Sequence, residues 1–462
     1  MAMASVSIST FLLLLLCSYG HSLAAAHAGG GLSYKVLDTG KQLKSDAACS
    51  EHKAVASSGG ATVALHHRYG PCSPVNSTAK PTLEEMLRRD QLRAAYVQRK
   101  FSGAKRGGAG GVQQSDATVP TTLGTSLNTL EYVITVGIGS PAVTQTMLID
   151  TGSDVSWVQC SPCAQCHSQA DALFDPSASR TYSPFSCGAA ACAQLGQEGN
   201  GCSASQCQYI VNYGDGSTTT GTYGSDTLSL GSNAVRSFQF GCSRSESGFG
   251  DQTDGLMGLG GGAQSLVSQT AGTFGKAFSY CLPATAGSSG FLTLGAGGAG
   301  GFVKTPLLRS SQVPTFYGVR LQGIRVGGKQ VSVPASAFAA GTIMDSGTII
   351  TRLPPTAYSA LSSAFKAAMA GKYPAAQPSG ILDTCFDFGG QSSVSIPSVA
   401  LVFSGGAVVD LDGSGIILDS CLAFAPNGDD GSLGIIGNVQ QRTFEVLYDV
   451  GRGAVGFRSG AC

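Results

Sequence analysis

The sequence predicts an all-β protein made of two related lobes, and three observations carry that expectation. Glycine is abundant, 65 of 462 residues, while charged residues are only 12%; these shares are about twice and half the norm and suit many tight turns. From residue 119 onward, β-prone runs such as "YVITVGIGS", "QTMLIDTG", "FYGVRLQGIRVGG" and "FEVLYDVGRGAVGF" alternate with Gly, Ser, Asp and Pro turns. The chain also repeats itself. "LIDTGSDVSWV" at 148–158 is echoed by "IMDSGTIITRL" at 343–353, and each is followed by an apolar-apolar-Gly run, "DGLMGLG" at 254–260 and "GIIGNV" at 434–439. Each half therefore offers one aspartate, Asp150 or Asp345, at the end of an apolar strand.

The N-terminus reads as a targeting segment. Residues 1–26 hold a short apolar heart at 11–17 and small residues ending in Ala24-Ala25-Ala26, the pattern of a secretory signal peptide, with no Lys or Arg ahead of it. No run reaches the roughly 18 to 20 apolar residues of a membrane span. Residues 27–118 read as a removable prosegment, too poor in apolar residues for an independent domain. Within it, "TLEEMLRRDQLRAAYVQRKF" predicts a helix capped by Thr82 with Glu85, whose apolar stripe begins at Leu83, Met86 and Leu87. "SGAKRGGAGGVQQS" reads as a flexible, protease-accessible linker containing Lys105-Arg106. Asn76-Ser77-Thr78 is the clearest N-glycosylation acceptor. The lobes are expected at 119–310, with Asp150, and 311–462, with Asp345. "PTAYSALSSAFKAAMAG" is one of few good helices beyond residue 119.

Fifteen cysteines agree with secretion. Cys17 lies in the signal, and Cys49 and Cys72 in the prosegment. The remaining twelve, Cys160 to Cys462, suit six disulfides in an oxidising compartment. Cys160-x-x-Cys163-x-x-Cys166 has metal-like spacing, but only His167 is near and closed zinc sites want four ligands, so disulfides are expected and no metal.

Elimination narrows the chemistry. The histidines stand at 21, 27, 52, 66, 67 and 167, so the expected mature chain keeps one imidazole. That gives little support to a Ser-His-Asp or Cys-His hydrolase. Neither HExxH nor GxxxxGK[ST] occurs, which leaves no motif for a cofactor or phosphate. Net charge is zero with no basic stripe, so nucleic acid is not an expected partner. Paired carboxylates remain. Two aspartates close together cannot both ionise easily and share a proton, so one can activate water and the other donate to a carbonyl. Gly152 lets the backbone fold against Asp150. Ser153 is expected to donate to Asp150, and Thr348 holds the equivalent place beside Asp345. Thr151 and Ser346 are expected to hydrogen-bond across the lobe junction, and Gly347 repeats Gly152.

These residues resemble the pepsin-like aspartic endopeptidases, most closely the plant nepenthesin-like branch, over roughly residues 130–462. The resemblance implies a bilobal fold around a central cleft, protein or peptide substrates, no cofactor, a monomer, and acid-pH hydrolysis. It implies a flap at 209–228 turning at Gly214-Asp215-Gly216, with Tyr213 as its tyrosine and Trp157 as the hydrogen-bonding tryptophan. It also implies the pairs Cys160–Cys163, Cys166–Cys242, Cys187–Cys207, Cys192–Cys202, Cys281–Cys462 and Cys385–Cys421. The second motif reads Asp-Ser-Gly, which loses a methyl but keeps the hydroxyl. Inactive relatives that act as inhibitors commonly lose an Asp, a flanking turn residue or the flap; this chain keeps them. The expected location is extracellular, with vacuole or plastid as alternatives.

Charge suggests how the prosegment acts. Residues 1–118 hold 13 basic and 7 acidic residues, a balance of +6; residues 119–462 hold 15 and 21, a balance of −6. Opposite charge favours association, so the basic stretch around Arg88, Arg89 and Arg93 is expected to dock near the acidic cleft.

Overall fold

The computed structural model describes residues 32–38, 48–49, 56–57, 60–75, 80–106, 132–214, 216–249 and 252–462. Residues 1–26 (expected to be a signal peptide), Asn76, Asp215 and residues 107–118 lie outside the described residues. The fold is mostly β, with two lobes built on one plan. In the first, the strand Val143–Asp150 delivers Asp150, and Gly255–Gly258 runs parallel beside it, Gly258 opposite Asp150. Trp157–Gln159 closes the unit antiparallel to Gly255–Gly258. In the second, Thr342–Met344 leads to Asp345, Gly434–Ile436 runs parallel to it, and Thr351–Leu353 pairs antiparallel. The two apolar-apolar-Gly runs of the sequence are thus the buried strands that brace the two aspartate strands. Their residues are covered on both faces, which is why they read as continuous apolar runs rather than alternating ones.

A long twisted sheet joins the lobes. It passes from Val303–Pro306 through Ala454–Ser459, Phe444–Asp449, Ala277–Cys281 and Ser289–Leu294, then on to Tyr132–Ile138 and Val143–Asp150. Strands from both sides of residue 310 share this platform, with Ala277–Cys281 paired to Phe444–Asp449. Between Ser289–Leu294 and Tyr132–Ile138 lies Ala61–His67, contributed by the N-terminal segment. Its alternating burial places Ala61, Val63 and Leu65 in the core, the period of two that a half-buried strand requires.

The helix Leu83–Arg106 forms where the sequence predicts one. Its cap is reciprocal: Glu85 N donates to Thr82 Oγ1 at 3.2 Å, and Thr82 N to Glu85 Oε2 at 3.0 Å. The helix runs on through residue 106, so Lys105-Arg106 belongs to its last turn rather than to the linker. No proline interrupts 83–106, and a single interior glycine, Gly103, does not stop a helix. The helix Pro355–Met369 has proline at its first position and buries Ala357, Leu361, Phe365 and Ala368 at three- and four-residue spacing. No helix among the described residues is long and apolar enough to cross a membrane.

The disulfides correct four expected pairs. The structure joins Cys160–Cys242, Cys163–Cys166, Cys187–Cys202 and Cys192–Cys207, not Cys160–Cys163, Cys166–Cys242, Cys187–Cys207 or Cys192–Cys202. Register explains the first change: Trp157–Gln159 pairs parallel with 241–243, and the Cys160 amide bonds Ser243 O, which sets Cys160 beside Cys242 with Cα atoms 5.4 Å apart. The loop then turns Cys163 back upon Cys166. Cys281–Cys462 and Cys385–Cys421 pair as in the expected set, and Cys49–Cys72 adds a bridge in the N-terminal segment.

Candidate active site

Both aspartates reach the lobe junction at the ends of their strands, and both are fully buried. Each carboxylate is held by its own turn. Gly152 N donates to Asp150 Oδ1 at 2.9 Å, and Gly347 N to Asp345 Oδ1 at 3.1 Å. Thr348 Oγ1 donates to Asp345 Oδ2 at 2.6 Å. The turns lock to each other: Thr151 N donates to Ser346 Oγ at 3.1 Å, and Ser346 N to Thr151 Oγ1 at 2.9 Å. Two small hydroxyl residues thereby fix the approach of the lobes, and the Ser at position 346 serves where the first motif has Thr.

The glycines are needed for that approach. A Cβ on Gly347 would sit 2.8 Å from Asp150 Oδ1, and one on Gly152 would sit 3.0 Å from Asp345 Oδ1. Each turn therefore lies against the carboxylate of the other lobe, which brings the two aspartates into one site.

That site is filled from the N-terminal segment. Arg93, buried on the Leu83–Arg106 helix, spans both carboxylates. Its Nη2 donates to Asp150 Oδ1 at 2.8 Å and to Asp345 Oδ1 at 2.9 Å. Nη1 reaches Asp150 Oδ2 at 3.3 Å, and Nε reaches Asp345 Oδ2 at 3.2 Å. Burial works against this guanidinium's charge, but the two aspartates outweigh it and hold Arg93 well above its ordinary pKa. The expected donation from Ser153 to Asp150 is missing, and Ser153 Oγ has no hydrogen-bond partner among the described residues. Arg93 supplies Asp150 with the donors that Ser153 was expected to give. Of the basic residues expected near the cleft, Arg93 meets the pair. Arg89 is buried with Nε and Nη1 unbonded, and Arg88 shows no ion pair among the described residues.

The rest of the helix grips both lobes. Gln98 exchanges two hydrogen bonds with the Leu433 backbone, at 2.6 and 3.0 Å. Leu87 packs among Ile349, Ile350 and Leu382, and the Phe101 ring lies 5.2 Å from Phe316. On the opposite wall, a Cβ at Gly214 would fall 2.5 Å from Tyr96 Cβ, so Tyr96 seats directly on the hairpin tip. A cleft of about 640 Å³ remains along the helix, lined by Asp150, Asp154, Glu198, Tyr213 and Phe316.

The hairpin over the site runs from Gln206–Asn212 to Thr218–Leu230. Its turn closes through Tyr213 N to Ser217 O at 2.9 Å, with Gly216 at φ 90, a conformation that suits glycine. Trp157 Nε1 donates to Tyr213 Oη at 2.7 Å, and both side chains are buried. Phe249, which sequence reasoning missed, packs edge-on against Trp157 and Tyr213 and stacks on His167. His167 is bound to Glu246 Oε2 and Thr253 O, each at 2.7 Å, and lies away from the aspartate pair.

Two acidic groups by the cleft also escaped the sequence reading. Burial raises Asp154, although Thr315 Oγ1 and Gly262 N hydrogen-bond it. Glu198 is pushed up to about 7 by burial first and then by the charge of Asp154, with Lys100 opposing. A carboxylate held by its turn and facing a second across a dry junction can take part in sharing one proton.

The model described as xylanase inhibitor N-terminal matches residues 132–296, and xylanase inhibitor C-terminal matches 316–459. An aspartyl protease family protein of Arabidopsis thaliana is 43% identical over 412 residues, covering 86% of either chain. Aspartic proteinase nepenthesin-2 of Nepenthes gracilis is 38% identical across 72% of this chain and 78% of its own. The crystal structure of basic 7S globulin from soybean shares the fold, with a TM-score of 0.57 over 71% of this chain and 90% of its own, at 22% identity. The chain belongs to the pepsin-like aspartic endopeptidase family. Within that family it falls in the plant nepenthesin-like branch.

Proposed function

We propose that this chain is a secreted zymogen whose Asp150–Asp345 pair hydrolyses peptide bonds at acid pH, once residues 27–118 have left. The observation that carries the reading is Arg93, one cation bonded to both aspartates from a segment N-terminal to the lobes. It sits where a water and a scissile carbonyl would have to sit. With Arg93 gone, the ionised member of the pair deprotonates water, and the protonated member donates to the carbonyl oxygen. A tetrahedral gem-diol forms, the C–N bond breaks, and the departing amine takes a proton. Acid and base are roles of the pair rather than of either residue. The Gly152, Gly347 and Thr348 donors fix the carboxylate planes, and Tyr213 on its hairpin covers the bound peptide. Signal-like residues 1–26 and the disulfides support export.

The rival reading is a binding or inhibitor protein of the same fold. The intact pair, turns and hairpin favour hydrolysis. The test is to hold purified precursor at graded pH and salt beside an Asp345→Asn precursor. Processing of the intact precursor should quicken as pH falls, with cleavage near the 107–118 linker, and the variant alone should not process. Equal processing of both, or none without an added protease, would contradict self-activation.

A further inference from the structure

Asp90 stands one helical turn before Arg93 and is fully buried. Its Oδ2 accepts from Arg352 Nη2 at 2.6 Å, and its Oδ1 accepts from the Ile349 amide at 2.5 Å. Arg352 belongs to the opposite partner in this contact, the C-terminal lobe, where Thr351–Leu353 braces the Asp345 strand through Gly434–Ile436. It is 4% exposed, and its Nε has no hydrogen-bond partner. Among the described residues, Asp90 is the one carboxylate in ion-pair contact with it. The surroundings are apolar: Leu87 of the helix packs beside this contact on Ile349 and Ile350.

A cation in so dry a wall is costly unless an anion meets it. In the precursor that anion comes from the segment that blocks the site. Once the helix leaves, the Arg352 guanidinium and the Ile349 amide lose their acceptor together and face the cleft. The vacated place still has the donors of a carboxylate site, a planar fork and a backbone N–H, set in low-dielectric surroundings.

Resting on the zymogen reading above, we propose that Arg352 sets specificity in the mature enzyme by binding the carboxylate of an Asp or Glu side chain of the peptide substrate, in the place Asp90 fills in the precursor. Asp90 and Arg93 are three residues apart on a helix, about 4.5 Å along its axis. Arg93 marks the aspartate pair, so the acidic side chain belongs within about three residues of the scissile bond in an extended substrate. Burial raises the pKa of the carboxylate in this place, as it does for Asp90, and the Arg352 guanidinium opposes that rise.

The experiment starts from full-length precursor activated at acid pH, its new N-terminus mapped by mass spectrometry. Matched peptides differing only as Glu or Gln, at each of three positions on either side of the cut, are compared by kcat/KM at pH 5. At one position the Glu peptide should be favoured at least about tenfold, the scale of a hydrogen bond to a charged group. Arg352→Gln should bring that ratio close to one, and Arg352→Lys should leave it between. An Asp90→Asn precursor, once processed, should return the wild-type ratio. Ratios near one at every position in processed wild-type enzyme would overturn the proposal, as would an Arg352→Gln enzyme that keeps the preference. If Arg352→Gln does not fold, the wild-type ratios and the Lys variant still decide. Active enzyme that retains residues 83–106 would overturn the zymogen reading and this proposal with it, an outcome the mapping separates from equal ratios.

Discussion

On the proposed zymogen reading, Arg93 is the residue on which the precursor's restraint turns. Removing one partner from a buried ion pair leaves the other charge unmatched, at about 3–5 kcal/mol. Arg93→Ala precursor should therefore lose much of its helix docking and hydrolyse a fluorogenic peptide before any chain cleavage, where wild-type precursor is silent. A variant precursor as silent as wild type would remove Arg93 from the restraint. Acid cannot discharge Arg93. Glu198, by the same cleft, does respond to pH. Its pKa is raised from 4.5 to about 7 in the folded precursor, so its ionised form is disfavoured there. The cost is absent below the unfolded value and grows as pH rises towards 7. Glu198→Gln should stabilise the precursor at pH 7 by about 1–2 kcal/mol and leave it unchanged near pH 4, read as a shift in Tm at each pH. A gain of equal size at both would show that charge is not the cause. At this scale the pair itself was legible, because two copies of one motif marked Asp150 and Asp345. Arg352 was visible too, as the lone base in "IMDSGTIITRL", but its meaning depends on Asp90, which lies 262 residues away.

The Leu83–Arg106 helix is the element that closes the cleft, and its beginning was the most readable local feature. The Thr82–Glu85 box lies within four residues, so sequence alone carries it. The end at residue 106 was not readable, because glycine-rich composition suggested a break that the backbone does not make there. Disulfide pairing failed for a related reason: it is decided by strand register between segments far apart, as with Cys160 and Cys242. The helix's hold divides into a cap and a packed face. Thr82→Ala should cost about 1 kcal/mol. Leu87→Ala, at a residue 1% exposed, should cost about 2–4 kcal/mol. Hydrogen exchange of the helix amides in intact precursor should quicken modestly in the first and strongly in the second. A larger effect from the cap than from Leu87 would mean that packing on Ile349 and Ile350 does not anchor the helix.

The whole molecule is organised around one internal repeat, and that made the fold class readable from composition, turns and two echoed motifs. The sharing of strands across residue 310 was not readable, because the platform forms between sequence-distant segments such as Ala277–Cys281 and Phe444–Asp449. Nor did composition reveal that Ala61–His67 would enter that platform beside Tyr132–Ile138. The N-terminal segment is thus tied to the lobes three times, by Ala61–His67, by the helix, and by Tyr34–Asp38, which pairs antiparallel with Ser393–Pro397, and its release has to undo all three. The charge balances of +6 and −6 describe the attraction at long range; Arg93, Asp90 and Gln98 describe it at contact. All of this matters only if the two aspartates perform the hydrolysis. The most direct measurement is acid-pH hydrolysis of a denatured protein by activated wild type, with and without pepstatin, beside Asp150→Asn and Asp345→Asn proteins processed in trans and checked for native folding. An amide cannot supply the shared proton, so each variant should lose hydrolysis to background, and pepstatin should abolish it in wild type. Near-normal turnover by either folded variant would contradict the account.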